Sequence, residues 1–202
     1  MEGEQVVSDE MEIDDAFPNE KILSAAMEKM PWYTDFANYV TMKRDTISNL
    51  PCNVLDGILG CLPLKDAVRT SILSKDWRYK WVTRAELDFS GQFLTSFNNS
   101  EEAKTIIYQV LRLHQEPLPK FTLYGLNLRN CPNINHWIQF LSEKNVQELT
   151  IHIFSCRKYR LPTQLFTFKQ LRHLYLDMCF FHPPPNFKGF AKLINLNLER
   201  VI

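Results

Sequence analysis

A group of short helical patterns lies between residues 45 and 81. Its first apolar stripe consists of Val54, Leu55, Ile58, Leu59 and Leu62, positions that share one face of an α-helix. Pro51 precedes the stripe, where the missing N–H of proline costs nothing in the first turn. Pro63 follows it and pushes the preceding residue out of the helical conformation. The pattern therefore predicts a helix bounded by the two prolines.

Two further helical patterns follow directly. The first places Val68, Ile72 and Leu73 on one face. The second begins near Ser74, a favoured capping residue, and places Trp77 and Trp81 one turn apart. So small a unit cannot bury all of this apolar surface within itself. We therefore expect part of the surface to dock against another protein.

The second half of the chain repeats an apolar pattern of the form L-x-x-L-x-L-x-x-C. Its units start 23, 25 and 22 residues apart. The four units are Leu123, Leu126, Leu128, Cys131; Val146, Leu149, Ile151, Phe154; Leu171, Leu174, Leu176, Cys179; and Leu193, Leu196, Leu198, Val201. This spacing is the signature of a leucine-rich repeat, in which each unit adds one short strand to a parallel ladder.

The segments between these strands predict returning helices. Residues 136–142 form a helical pattern with Trp137, Phe140 and Leu141 inward, and residues 161–166 read as a short helical turn. The predicted fold is therefore mixed α/β: a small three-helix unit followed by a short solenoid of about three and a half repeats. We expect the last strand to leave an open apolar edge, because a solenoid needs a polar terminal cap.

The charge is unevenly distributed although the chain is neutral overall. Residues 1–20 contain eight acidic and no basic side chains, and residues 43–202 carry about +8. We predict that residues 1–42 form an acidic, largely disordered extension with one possible helix over residues 22–30.

Two segments of this extension, Asp14–Glu20 and Met30–Tyr39, resemble a linker of gypsy-class retrotransposon polyproteins. The His and Cys zinc ligands of the neighbouring module in those polyproteins are absent here. An ordinary helix packing on the three-helix unit is the alternative.

The cysteines and the absence of sorting signals indicate an intracellular environment. There are five cysteines, an odd number with no C-x-x-C pair, which argues against a disulfide framework and a zinc site. The acidic start does not match a signal peptide, and no run approaches the ~20 apolar residues of a membrane span. We expect reduced thiols, a nuclear or cytoplasmic protein, no metal and no cofactor.

No arrangement of residues indicates an enzyme. The five histidines lack zinc spacing, the six glycines form no phosphate loop, and no nucleophile-elbow signature is present. Basic residues alternate with aromatic ones between Lys75 and Arg84, a pattern found in nucleic-acid-binding helices. Because Trp77 and Trp81 share the apolar face, a core helix with a solvated basic face is favoured. A small nucleic-acid-binding protein is the less favoured alternative.

The helical unit resembles an F-box of the plant type. The matching elements are Ile47-Ser48, Leu50-Pro51, Leu62-Pro63, Asp66-Ala67, Arg69-Thr70-Ser71, Leu73-Ser74, Trp77-Arg78 and Trp81. The resemblance implies docking on the Skp-type adaptor of a cullin ubiquitin ligase, with no chemistry of its own. The residues it implies for adaptor binding are Leu50, Pro51, Ile58, Leu62, Leu64, Val68, Leu73 and Trp77.

The repeats resemble those of the plant F-box/FBD/leucine-rich-repeat family, through Trp137–Leu141, Val146–Ile151, Leu161–Phe166 and Phe187–Phe190. The implied domains are an extension (1–42), an F-box (43–86), a linker with the first capping elements (87–120) and the repeats (121–202). The resemblance implies a substrate receptor that holds an unidentified protein target, with neither nucleic acid nor membrane expected. Outward strand residues are the candidate target-binding set: Thr150, His152, His173, Tyr175 and Asn197. A truncated fragment without target binding, or a pseudogene-like fusion, is the alternative.

Overall fold

The computed structural model describes residues 50–72, 77, 80–128, 131, 133–155 and 158–202. The predictions for the extension over residues 1–42, including its resemblance to a retrotransposon segment, lie outside the described residues. The same holds for Leu73 and for the helix start near Ser74.

A proline precedes each of the first two helices in the described part of the chain. Helix α1 spans Cys52–Cys61 and helix α2 spans Leu64–Arg69. The carbonyl of Pro51 accepts hydrogen bonds from the N–H groups of Val54 and Leu55, and the carbonyl of Pro63 does the same for the start of α2. Leu62, between the helices, is extended with ψ 147°, as expected for a residue before proline. Short 3₁₀ helices follow at Thr70–Ile72 and Lys80–Thr83.

The described C-terminal part is a solenoid built on a parallel sheet. Its strands are β1 (Glu86–Phe89), β2 (Lys120–Leu126), β3 (Glu148–Ile153), β5 (His173–Asp177) and β7 (Asn195–Glu199), in the spatial order β1-β2-β3-β5-β7. Every neighbouring pair is parallel. Two shorter strands, β4 (Tyr159–Arg160) and β6 (Cys179–Phe180), pair separately. The parallel ladder predicted from the repeats is confirmed.

Helices return the chain between these strands. They are α3 (Gly91–Leu94), α4 (Ser100–Leu113), α5 (Ile134–Glu143) and a 3₁₀ helix at Thr163–Thr167. Helix α5 buries Trp137 and Leu141 and partly buries Phe140, as its pattern predicts. The short turn predicted at residues 161–166 corresponds to the 3₁₀ helix. One continuous apolar core extends from α1 to β6.

The register of the first predicted repeat is wrong. Phe121 and Leu123, rather than Leu126 and Leu128, pair with Leu149 and Ile151. The matching first position is Leu118, which is fully buried. Two apolar pairs in this segment have the same spacing, Phe121 with Leu123 and Leu126 with Leu128. A search for leucines finds only the second pair, because a phenylalanine replaces the leucine in the first. Gly125, at φ 91°, accommodates the irregularity after Tyr124, a conformation that favours glycine.

The second predicted repeat also needs a correction at its last position. Phe154 was predicted in the cysteine position of the motif, but its side chain is 70% exposed. The alternation of buried and outward side chains continues to the end of strand β3, so Ile153 is buried instead of Phe154. Phe154 therefore follows an inward residue and faces outward.

Residues 87–120, predicted as a linker with the first capping elements, extend the solenoid. Strand β1 pairs with β2, and α4 returns the chain between them as a repeat helix would. Helix α4 is capped by Asn99, whose side chain accepts a hydrogen bond of 2.8 Å from the N–H of Glu102. Its buried face contains Ile106, Ile107 and Val110. The regular sheet thus starts about 35 residues before the predicted repeat boundary at residue 121.

Candidate functional site

Helix α1 carries apolar residues on two faces. Leu55 and Leu59 are buried, whereas Leu50, Val54 and Ile58 are 37%, 40% and 38% exposed. Val54 and Ile58 are four apart on α1, so they lie on one face of the helix. The apolar stripe predicted from the sequence therefore has a buried part, Leu55 and Leu59, and an exposed part, Val54 and Ile58. We call Val54 and Ile58, together with the exposed Leu50 just before the helix, the docking stripe.

A second surface is formed by the outward side chains of the parallel strands. Because side chains alternate along a strand, those at every second position share one face of the sheet. We call this surface the strand face. Its members are Glu86, Asp88, Lys120, Thr122, Tyr124, Glu148, Thr150, His152, His173, Tyr175, Asp177, Asn195, Asn197 and Glu199. The register places Thr150, Tyr175 and Asn197 in one row, and all five predicted target-binding residues on this face.

A polar network that the sequence analysis missed lies at the carboxyl end of the strand face. Asp177 is fully buried, and Arg200 donates to both of its carboxylate oxygens, from Nε at 2.8 Å and from Nη2. His152 Nδ1 lies 2.7 Å from Asp177 Oδ2, and the ring of Tyr124 stacks on His152 with centroids 4.0 Å apart. The Arg200 hydrogen bond is the main reason that the pKa of Asp177 is lowered.

Three further pairs of polar side chains on the strand face are in contact. Lys120 Nζ lies 2.7 Å from Glu86 Oε1, and Asn195 Nδ2 lies 2.9 Å from His173 Nδ1. Burial raises the pKa of Tyr175 to about 12, helped by its hydrogen bond to Glu199 and by the charges of Glu199 and Asp177. Tyr175 therefore keeps its proton at neutral pH and remains a hydrogen-bond donor.

Two family models match this chain. Residues 47–85 match the F-box domain, and residues 134–202 match the leucine-rich repeats of the FBD-associated F-box protein At5g56370. Together these segments cover the helical unit and most of the solenoid. The chain belongs to the plant F-box/leucine-rich-repeat family.

Named relatives agree with this assignment. The chain is 39% identical to the Arabidopsis thaliana F-box/FBD/LRR-repeat protein At1g13570 over 163 residues, which are 78% of this chain and 39% of that protein. It is 30% identical to the F-box/LRR-repeat protein At3g26922 of the same species over 166 residues, 79% of this chain and 53% of that protein. The chain thus spans about half or less of the relatives it matches. No solved structure matches it.

The F-box residues expected to serve adaptor binding fall into two groups. Leu50, Pro51 and Ile58 are exposed and Leu62 is half-buried, so their side chains are accessible. The remaining described members, Leu64, Val68 and Trp77, are buried, so they support the surface from beneath. Val54 was missed, although its position four residues before Ile58 on the same helix could have identified it. Which of these residues touch an adaptor stays a prediction.

The F-box meets the solenoid at Arg84 and His114. His114 is buried, and its Nε2 lies 2.8 Å from the carbonyl oxygen of Arg84. Burial lowers the pKa of His114, more than its hydrogen bond to Arg84 raises it. Nε2 then donates to the carbonyl, and the ring connects α4 to the end of the F-box. This contact gives the two units a common core at the junction.

The described residues show neither a metal cluster nor a membrane helix. No three His, Cys, Asp or Glu side chains in the described ranges are grouped so that they could hold a metal ion. No helix within the same ranges has the length and apolar character needed to cross a bilayer. The two surfaces that stand out are therefore the docking stripe and the strand face.

Proposed function

We propose that this protein is a substrate receptor of a Skp–cullin–F-box ubiquitin ligase, docking through the F-box on the Skp-type adaptor and holding a protein target on its repeats. A substrate-receptor role is the general role of F-box/leucine-rich-repeat proteins, and the match to both modules in one chain supports it here. The observation that carries the proposal is the docking stripe, three large apolar side chains exposed on an otherwise well-packed F-box.

The docking stripe suits an apolar partner. Single exposed apolar residues need no explanation, but Val54 and Ile58 are neighbours on one helix face, and Leu50 is exposed just before the same helix. Leu55 and Leu59 fix the helix from an adjoining face, because both are buried in the core. The stripe is therefore presented on a rigid element, which lowers the entropic cost of association.

The proposed mechanism is proximity rather than chemistry. The docking stripe lies on the F-box and the strand face on the repeats, so adaptor and target would occupy separate surfaces of one chain. The protein would then hold the target near the ligase, whose own enzymes transfer ubiquitin. We propose that it works without a catalytic residue of its own, in the nucleus, the cytoplasm or both, and without nucleic-acid or membrane partners.

Co-purification with a plant Skp-type adaptor tests this proposal. The double substitution Val54→Asp/Ile58→Asp puts two charges into the stripe at exposed positions, where it leaves the F-box core intact. We expect the stoichiometric adaptor complex of the unaltered chain to be lost. Leu50→Ala/Pro51→Ala should weaken it through the adjoining positions. Asp56→Ala is the matched control, because Asp56 is exposed on the same helix but outside the stripe.

Two results would contradict the proposal. One is the failure of the soluble, folded, unaltered chain to bind the adaptor. The other is full binding by the double variant, since a charged stripe cannot fill an apolar groove without leaving unpaired carboxylates buried. Melting curves of all variants should accompany the experiment, so that loss of binding is separated from loss of folding.

A further inference from the structure

The strand face differs in charge from the solenoid that carries it. Residues 86–202 contain 13 basic and nine acidic side chains, a net charge of +4. Five of those acids lie on the strand face. Among the described residues, the bases on this face are Lys120 and Arg200, the latter folded over Asp177. The described part of the face therefore has a net charge of −3 with neutral histidines. Arg84 lies just before β1, beside Glu86 and Asp88. If its charge is included, the net charge of the face is −2.

The excess carboxylates are spread across the whole face. Glu86 is neutralised by Lys120 and Asp177 by Arg200. The remaining acids are Asp88 on β1, Glu148 on β3 and Glu199 on β7, so that one stands on every second strand of the sheet. Neighbouring strands are about 4.8 Å apart, which places these three strands at intervals of about 10 Å.

The negative charge of the face raises the pKa of two other residues on it. The pKa of Lys120 is raised, first by its hydrogen bond to Glu86 and further by the charges of Glu148 and Asp88. The raised pKa of Tyr175, mainly an effect of burial, is increased by the charges of Glu199 and Asp177. Lys120 and Tyr175 lie on different strands and in different rows, so the field extends over the face.

This distribution does not serve the stability of the sheet. Like charges on one face of a sheet repel one another, and the chain has enough basic residues to balance them. The face also presents the ring of Tyr124, half exposed and stacked on His152. An aromatic ring attracts a cation over its face, and arginine most often. Acidic groups and an exposed ring together favour a cationic partner.

We propose that the strand face binds an extended segment of the target protein that carries closely spaced lysine and arginine residues. The proposal deepens the substrate-receptor function and rests on it. Asp88, Glu148 and Glu199 lie in three different rows of the ladder, so Asp88 and Glu148 are about 12 Å apart and Glu148 and Glu199 about 16 Å apart. An extended chain advances about 3.3 Å per residue, so basic residues about four and five positions apart match these distances. The same charge repels nucleic acid, whose phosphates are attracted only to positive surfaces.

Binding of a labelled peptide tests the proposal directly. The probe is an extended peptide of about ten residues, with three arginines about four and five positions apart among serine and threonine. It is titrated against the full chain co-purified with its adaptor. The matched peptide replaces each arginine with citrulline, which keeps the shape but removes the charge. Because an exposed ion pair contributes up to about a fivefold change in affinity, we expect the citrulline peptide to bind about 100-fold more weakly.

Variants of the protein locate the binding site. Asp88→Asn, Glu148→Gln and Glu199→Gln should each weaken the arginine peptide about fivefold, and the triple variant about 100-fold. Glu143→Gln, on the exposed side of α5 where Gln139 can still hydrogen-bond to it, is the matched control and should change the affinity less than twofold. Higher salt should weaken the unaltered complex as well.

The outcomes separate this proposal from the function on which it rests. Equal binding of the arginine and citrulline peptides overturns it, as does stronger binding of an acidic peptide or of an RNA oligonucleotide. If the triple variant does not fold, the citrulline comparison on the unaltered protein still decides. Adaptor binding without peptide selectivity removes only the basic-target proposal. Peptide selectivity without adaptor binding removes only the ligase function.

Discussion

Strands β5 and β7 carry the same pair of leucines but bury them very differently. Leu174 and Leu176 on β5 are 2% and 0% exposed, whereas Leu196 and Leu198 on β7, directly beside them in register, are 49% and 38% exposed. Strand β5 lies between β3 and β7, and β7 has only β5 beside it in the described sheet. The comparison teaches that a repeat is buried by its neighbours rather than by its own sequence.

The largest effect that tests this comparison is expected at β2. Phe121 is buried between β1 and β3, so Phe121→Ala should remove about 3–5 kcal/mol from the free energy of unfolding by leaving a cavity. Phe154→Ala is the control from the same half of the solenoid, and its exposed ring should cost about 0.5 kcal/mol or less. Urea unfolding of both variants gives the two values.

A small loss for Phe121→Ala would contradict the observed register, because the leucine motif alone leaves Phe121 outside the core positions of β2. A large loss for Phe154→Ala would contradict its exposed position and favour the motif, in which Phe154 is a core residue. The two substitutions therefore test the two corrected repeat positions separately.

The matched leucines of β5 and β7 give the next largest difference. Leu176→Ala should lower the free energy of unfolding by about 3 kcal/mol, because the residue is surrounded on all sides. Leu198→Ala should cost about 1 kcal/mol or less, since its side chain already contacts solvent. Thermal unfolding of the full chain measures both. Equal losses would mean that β7 is covered in solution.

The sequence predicted the elements of this fold better than their alignment. Periodicity identified α1, α5 and the strands because burial imposes the helical and strand periods directly on the residues. Periodicity failed at residues 121–128, where Phe121 with Leu123 and Leu126 with Leu128 have the same spacing, and it could not tell which pair aligns with β3. It also could not divide the stripe of α1 into buried and exposed parts, because which part is covered depends on packing against the 3₁₀ helix at Lys80–Thr83 rather than on spacing.

The candidate surfaces show the same limit. Alternation along β3, β5 and β7 was sufficient to place the five predicted target-binding residues on one face. It could not reveal the network of Asp177, His152 and Arg200, since those residues come from three strands or turns far apart in the chain. Extending the alternation of Leu174 and Leu176 by one step would have placed Asp177 on the face, but not its partners.

The smallest expected effect is a dependence of stability on pH at the junction of the F-box and the solenoid. The pKa of His114 is lowered from 6.5 in the folded protein by burial, so the unfolded chain takes up a proton at this residue before the folded one does. Its contribution to stability is therefore complete above about pH 6.5 and is lost as the pH falls from there through the lower folded pKa. Urea unfolding between pH 7.5 and 5 measures this loss.

His114→Gln isolates the contribution of this residue. A glutamine amide can still donate to the carbonyl of Arg84 but does not titrate, so the variant should lose less stability than the unaltered chain over the same pH range. His182→Gln, at an exposed position, is the control and should leave the pH dependence unchanged. The neighbouring strands β5 and β7 contribute no part of this difference, because His114 lies at the opposite end of the sheet, next to β1. An unchanged pH profile in His114→Gln would mean that the ring is accessible to protons in solution. The hydrogen bond between Arg84 and His114 would then break more often in the folded protein than the packing of Leu174 and Leu176 on β5 does.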